Sequence, residues 1–160
     1  MRKVKKFKLT SEFIVDISGV KLFRIKALIE FGNVKAGDLG GYIEKEENLS
    51  HMGNAWVSGN ARVSGDAQVF GDARVFGDAR VSGDARVSGD KDYAYAHGFG
   101  SCNRTTTFFR LKDGDVGVRC GCFYGTLAQF RDNVCETHGE TKKAQEYLML
   151  ADLMDFRFKN

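Results

Sequence analysis

The chain has 160 residues, with 19 Gly, no Pro, and 24 Lys and Arg against 21 Asp and Glu for a net charge of +3. That length suits one compact unit or two small ones, and so slight a positive balance gives no footing for a nucleic-acid binder. No apolar run is long enough to span a bilayer, and none of signal-peptide length follows the basic start "MRKVKK". A soluble, cytoplasmic protein is expected, with Cys102, Cys120, Cys122 and Cys135 as reduced thiols rather than a disulfide framework.

Residues 1–42 read as a β-rich lead-in. "KFKLT", "EFIVDI" and "KLFRIKALIEF" alternate apolar letters and are separated by turns at "SE" and "SGV". "FGNVKAGDLGGYI" then carries a Gly-Asp corner followed by a break in register, which leads into a repeat assigned to residues 43–96.

From Ala55 to Asp90 the phrase A-x-V-x-G-[DN] runs six times without interruption. Ala and Val two apart share one face of an extended segment, and the two x positions point the other way. Gly with Asp or Asn supplies the corner, because these residues tolerate the positive φ of a tight bend. A strand this short cannot hold itself together, so the coils stack, pair their backbones and bury columns of Val and Ala. "IEKEEN" and "LSHMGN" precede as imperfect hexads, with His51 at the inward Val position, and "KDYAYA" follows as a last, degenerate strand.

After "YAYAHGFG" the composition changes. "TTTFFRLKDGDVGVRCG" predicts a hairpin about "KDGD". Thr126 and Gln129 have the spacing of a capping box, predicting a helix to about Thr137 that Gly139 ends. A second helix from about Thr141 sets Ala144, Tyr147, Leu148, Ala151 and Met154 on one stripe. Residues 97–160 are thus expected to form a small ββαα unit docked on the end or side of the repeat.

The phrase resembles the hexapeptide repeat of left-handed parallel β-helices, in which three hexads make one triangular coil. The resemblance implies a mainly β fold with a short prism of about three to four coils, and a left hand against the general right-handed crossover rule. Residues eighteen apart then stack: Trp56 over Arg74, Arg62 over Arg80, Gln68 over Arg86, and Met52 over Phe70 over Ser88. Phe70 and Phe76 face outward on adjacent faces, either against the terminal unit of the same chain or at a homo-oligomer interface. Over most of residues 25–140, "KALIEFGNVKAGDLGGYIEKEENLSHMGNAWVSGNARV", "GCFYGTLAQF" and "THG" together resemble a family of small phage and prophage proteins. Its members are often labelled transferases on the strength of the hexads, without an established reaction. The resemblance implies a viral setting and hands over no catalytic residues.

Calcium is disfavoured, because calcium-binding β-rolls use a nine-residue repeat while the corner alone explains each Asp here. Similarity to hexapeptide acyltransferases makes His97 the one reasonable base, although the hexads contain neither a His nor an interrupting loop. Cys120, Cys122, Cys135 and His138 have zinc-type ligand chemistry at weak spacing. His51 and His97 are out of hexad register, so the three-His cage of β-helix carbonic anhydrases falls away. The richest constellation joins Ser101, Arg104, Thr105, Thr106, Arg119, Gly121, Phe123 and Tyr124: arginines, hydroxyls and stacking aromatics before a helix N-terminus, suited to phosphates and a base. The leading expectation is a non-enzymatic phage binding protein, without cofactor, that sequesters a small anionic, nucleotide-like host molecule. A reduced acyltransferase using His97 and a protein-blocking structural module are the alternatives.

Overall fold

Alternating apolar letters at the N-terminus give an antiparallel hairpin. In the computed structural model, which describes residues 5–99, 104–121 and 123–159, β1 (Phe7–Val15) pairs with β2 (Lys21–Ala27). "SE" does not end the first strand as expected. The pairing shifts register between Leu9 and Phe13, and β1 continues through the shift, held where the Thr10 hydroxyl donates to the Arg24 carbonyl at 2.8 Å. β2 pairs antiparallel with β3 (Leu39–Ile43), and β3 lies parallel on Arg62–Val63, the strand of the second clean hexad.

Each clean hexad contributes a two-residue strand: β4 (Trp56–Val57), β5 (Arg62–Val63), β6 (Gln68–Val69), β7 (Arg74–Val75), β8 (Arg80–Val81) and β9 (Arg86–Val87). Strands eighteen residues apart pair in parallel, with Trp56 on Arg74, Arg62 on Arg80 and Gln68 on Arg86, as the spacing predicts. Three faces result, carrying β4–β7, β3–β5–β8 and β6–β9. The corners fall at Gly59, Gly65, Gly71, Gly77 and Gly83, all at φ between 63 and 67°. The Ala and Val of every hexad are completely enclosed. At roughly 1.5 kcal/mol or more per buried Val, these columns are the main source of cohesion in a segment whose individual strands have none.

The imperfect hexads depart from the expected register. Leu49 bridges to Val69, so two extra residues lie between Leu49 and the first clean hexad at Ala55. Leu49, not His51, takes the inward position. His51 is displaced to the rim, stacked on Phe7 with ring centroids 4.2 Å apart. Its Nδ1 accepts the Lys6 backbone N–H at 3.0 Å and its Nε2 lies 2.8 Å from Glu46.

The parallel pairing stops after β9. "KDYAYA" is not a further parallel strand: Asp90–Asp92 form a single 3-10 turn, and β10 (Tyr93–Phe99) opens an antiparallel sheet. It continues through β11 (Arg104–Arg110), β12 (Val116–Cys120) and β13 (Phe123–Thr126). The predicted hairpin is β11–β12, extended by a strand on either side. β13 runs directly into α1 (Leu127–His138), with the predicted capping box at Thr126 and Gln129 and a C-cap at Gly139. Thr141 caps α2 (Lys142–Phe158), which buries Ala144, Tyr147, Ala151, Met154 and Phe158. One face of this sheet packs Phe108 and Val118 under the helices, while the other delivers Tyr93 and Phe109 to the base of the coil. No described helix is long and apolar enough to cross a membrane.

Candidate functional site

Successive residues on a strand point to opposite faces, and this divides the predicted ligand set in two. Thr106 is completely buried on the helix side, where its hydroxyl donates to Cys120 Sγ at 3.3 Å. Phe123 also faces the helices, its ring 5.8 Å from that of Phe130. Neither can reach a ligand on the coil side. The helix start is closed as well, since the Thr126 N–H donates to Gln129 Oε1 and the Gln129 N–H to Thr126 Oγ1. Ser101 lies outside the described residues, and of Arg104 only the backbone, paired with Phe99, is described.

The remaining members face the coil. Across the sheet, Tyr95, Thr107, Arg119 and Tyr124 form one cross-strand row. This row docks on the lowest coil: the Arg80 N–H donates to Thr107 Oγ1 at 2.9 Å and the Asp84 N–H to the Tyr124 hydroxyl at 3.4 Å. Tyr124 is held flat on Phe109, with ring planes 16° apart. Gly121 belongs with Arg119, because its carbonyl accepts the Arg119 Nε–H at 3.1 Å and fixes the guanidinium. Thr105 lies one step along the same face, its hydroxyl 2.9 Å from His97 Nδ1.

Where this row meets the β3–β5–β8 face there is a groove of about 270 Å³, lined by Asp16, Ser18, Glu44, Ser64, Ser82, Arg119 and Tyr124 among others. Beside it, sharing Asp16, Ser64, Ser82 and Arg119, lies a recess of about 10 Å³, room for one water-sized group, bounded also by Arg62 and Arg80. The turn of the β1–β2 hairpin, with Asp16 and Ile17, forms its outer wall.

Three guanidiniums therefore converge from two parts of the fold. Arg62, Arg80 and Arg119 are each half-buried, and none makes an ion pair with a carboxylate among the described residues. Burial holds Arg80 below the usual guanidinium range, and the positive charges of Arg62 and Arg119 press it down further against a weaker opposing pull from Asp78 and Asp16. The two rim carboxylates are engaged elsewhere: Asp16 Oδ1 accepts the Ser18 and Val20 N–H groups, and Glu44 Oε1 accepts that of Gly65. At the inner wall Ser82 is 4% exposed, and its hydroxyl has no hydrogen-bond partner. A buried hydroxyl without a partner costs about 1–3 kcal/mol. Clustered cations around an unpaired donor make a site suited to an anion.

Arg62, Arg80, Ser64 and Ser82 were missed because each looks like any outward hexad residue. A signal was nevertheless present. Of the four arginines at that hexad position, only Arg62 and Arg80 fall eighteen apart and stack on one another, while Arg74 sits under Trp56 and Arg86 under Gln68. Like charges directly opposite on paired strands are unfavourable.

The other expectations resolve less productively. His97 engages Thr105 and is not among the groove's lining residues. Of the zinc-type set, Cys120 contacts Thr106 and lies 3.8 Å from the Tyr147 hydroxyl, Cys135 is exposed on α1, and the His138 ring lies 5.8 Å from that of Tyr147. Cys122 is outside the described residues, and no three metal-ligating side chains cluster among the described ones. Phe76 sets its ring edge-on to Tyr93 and Tyr95 of the same chain, both at 6.4 Å, while remaining half-exposed; Phe70 is 37% exposed.

A comparison with curated proteins gave no match to the chain. Residues 55–69, 67–81 and 79–90 match the YdcK beta solenoid repeat, so the hexads are those of a β-solenoid repeat protein.

Proposed function

We propose that this is a non-enzymatic binding protein that holds a small anionic, nucleotide-like ligand in the arginine groove. The observation that carries the reading is the convergence of Arg62, Arg80 and Arg119, without ion-paired carboxylates among the described residues, on the orphaned hydroxyl of Ser82. Among the described residues the Ser82 hydroxyl has no hydrogen-bond partner, so no base is placed to activate it, which favours holding over turnover. In this reading the solenoid winds left-handed, the hand implied by the hexapeptide resemblance, and the phage setting makes the ligand a host signal that sequestration withdraws. Association of copies through the solenoid faces is part of the same proposal and now rests on Phe70, because Phe76 is turned partly onto its own chain. Light scattering on Phe70→Ser tests it: an unchanged native mass removes the interface.

The binding test is calorimetry of the purified protein with a panel of nucleoside phosphates, followed by recovery of the ligand. Binding with the ligand returned intact is expected. A charge-assisted contact is worth about 1.5–3 kcal/mol, so Arg119→Ala should weaken binding roughly ten- to a hundredfold. Arg74→Ala, on another face, should not. Consumption of the ligand, or equal binding by Arg119→Ala, would remove the reading.

A further inference from the structure

We infer that the groove takes its ligand end-on, recognising a terminal phosphoryl group and discriminating against phosphodiesters. This rests on the anion-binding reading above and concerns which phosphate chemistry the groove accepts. The recess between the arginines has room for one water-sized group, about 10 Å³, against about 270 Å³ in the neighbouring groove with which it shares Ser64, Ser82 and Arg119. Only a single oxygen of a ligand's tip can enter the recess, with the phosphorus, its other oxygens and the rest of the molecule in the groove beside Tyr124.

Donor placement fits a tip with several free oxygens. Arg62 and Arg80 are adjacent rungs of one parallel ladder, so their backbones stand about 4.8 Å apart. Arg119 comes from a different sheet, with its Nε tied to Gly121 and its terminal nitrogens without a hydrogen bond among the described residues. Ser82 adds a hydroxyl at the inner wall. Donors therefore surround the recess from the ladder, from the terminal sheet and from its wall. A terminal phosphoryl presents three unesterified oxygens and close to two negative charges near neutral pH. A diester presents two such oxygens and one charge, so with one oxygen in the recess it leaves a single oxygen for the remaining donors. Forked guanidinium donors suit the first arrangement, and a point-charge amine would not replace them.

Chemically matched probes test this. Adenosine 5′-monophosphate, adenosine 3′,5′-cyclic monophosphate, adenosine and inorganic pyrophosphate would be titrated into the full chain by calorimetry. The monophosphate should bind at least tenfold more tightly than the cyclic diester, and pyrophosphate should compete with it. Arg80→Ala and Arg119→Ala, which lie on separate elements, should each weaken the monophosphate at least tenfold, with folding checked by circular dichroism. If the cyclic diester binds as tightly or more tightly and is lost in both variants, end-on recognition is wrong while the anion site stands. If adenosine matches the monophosphate, or neither variant changes binding, the anion reading fails together with the inference.

Discussion

The two ends of the solenoid have the same physical problem and solve it differently. Stacked parallel coils leave a row of backbone groups without partners at the top and another at the bottom. At the top, β3 covers one face, and two side chains reach the open carbonyls. The Lys6 ammonium donates to the carbonyls of Ala55 at 2.6 Å and Gly53 at 3.4 Å, and the fully buried Asn48 amide donates to those of Gly65 and Ala67. At the bottom the antiparallel sheet and its entry turn supply Asp90, Asp92, Thr107 and Tyr124 as acceptors for open N–H groups, and Tyr93 as a donor to the Arg74 carbonyl. At the top even a charged amine is buried to complete the pairing. At the bottom a buried side-chain hydroxyl, that of Ser82, is left without a partner among the described residues, beside three arginines that form no ion pair among them. The satisfied end provides stability, and the unsatisfied end carries the candidate site.

The sharpest way to break this comparison is to add a methyl group at each end. A Cβ on Gly40 would lie 2.5 Å from the Val57 carbonyl oxygen and 2.6 Å from Ile25, so it meets backbone that cannot move away. Gly83, at φ +64, would point a Cβ into the Tyr124 hydroxyl, the far end of a side chain that can yield. Gly40→Ala should cost about 3 kcal/mol and Gly83→Ala about 2 kcal/mol, the latter mostly backbone strain and loss of the Tyr124 contact. Gly89→Ala, with open space around it, is the control. Urea unfolding of the three variants checks the order. Equal losses at Gly40 and Gly83 would show that the lower sheet is as rigidly seated as the upper cap.

Lys6 gives the next effect in size. Burial lowers its pKa from 10.5 to about 8. Between those values the unfolded chain binds a proton that the folded chain does not, so stability rises with pH across that window. From pH 7.5 to 9.5 Lys6 should add about 2 kcal/mol. Lys6→Met should lose that pH-dependent rise, and it should be less stable at pH 9.5 because the Ala55 carbonyl loses its donor. Paired urea titrations at the two pH values measure both. A wild-type curve no steeper than the variant's would mean that the ammonium is not penalised where it sits.

Legibility in the sequence followed redundancy. Six near-identical hexads fixed the strand register, since any error in one copy is corrected by the next, and the capping box at Thr126 was readable from two letters. The top of the coil was not, because two extra residues between Leu49 and Ala55 move His51 off the inward face without leaving a mark in the pattern. The site was half legible. Arg119 and Tyr124 of the predicted set line the groove, and Gly121 holds Arg119. They were grouped with Thr106 and Phe123, although residues 105 and 106, or 123 and 124, cannot share a face of one strand. The other half of the groove lay in the hexads, whose Arg and Ser letters recur on every face.

A smaller effect of opposite sign is expected at Ser82. Removing a buried hydroxyl that has no partner should stabilise the ligand-free protein by about 1 kcal/mol, less whatever packing the lost atom provided. Ser82→Ala should therefore raise Tm while weakening the bound anion. Ser88→Ala, whose hydroxyl donates to Asp92 at 2.9 Å near the same end, should lower Tm. Calorimetric melts of both variants separate an orphan from a satisfied hydroxyl. A fall in Tm for Ser82→Ala would mean that its oxygen already has a partner in the free protein.

The smallest effect tests whether the arginine ladder is held against its own repulsion. Arg62 and Arg80 stand directly opposite on paired strands, with Arg119 adding to the same field. Such like-charge pairs are unfavourable by a few tenths of a kcal/mol up to about 1 kcal/mol, and salt screens them. Replacing Arg62 with Gln keeps most of the aliphatic contact and removes one charge, so the ligand-free variant should gain about 0.5 kcal/mol at low ionic strength. The wild type should recover that difference as sodium chloride rises toward 0.5 M, where the screening length falls to a few Å. Arg74→Gln supplies the comparison within the same repeat. It has the same hexad position and half-buried setting, but its partner on the ladder is Trp56, so neither a low-salt gain nor salt convergence is expected. Urea titrations of the three proteins at two salt concentrations read the difference. If Arg62→Gln behaves like Arg74→Gln, the ladder carries no stored repulsion, and the groove loses the feature that distinguishes it from the other two faces.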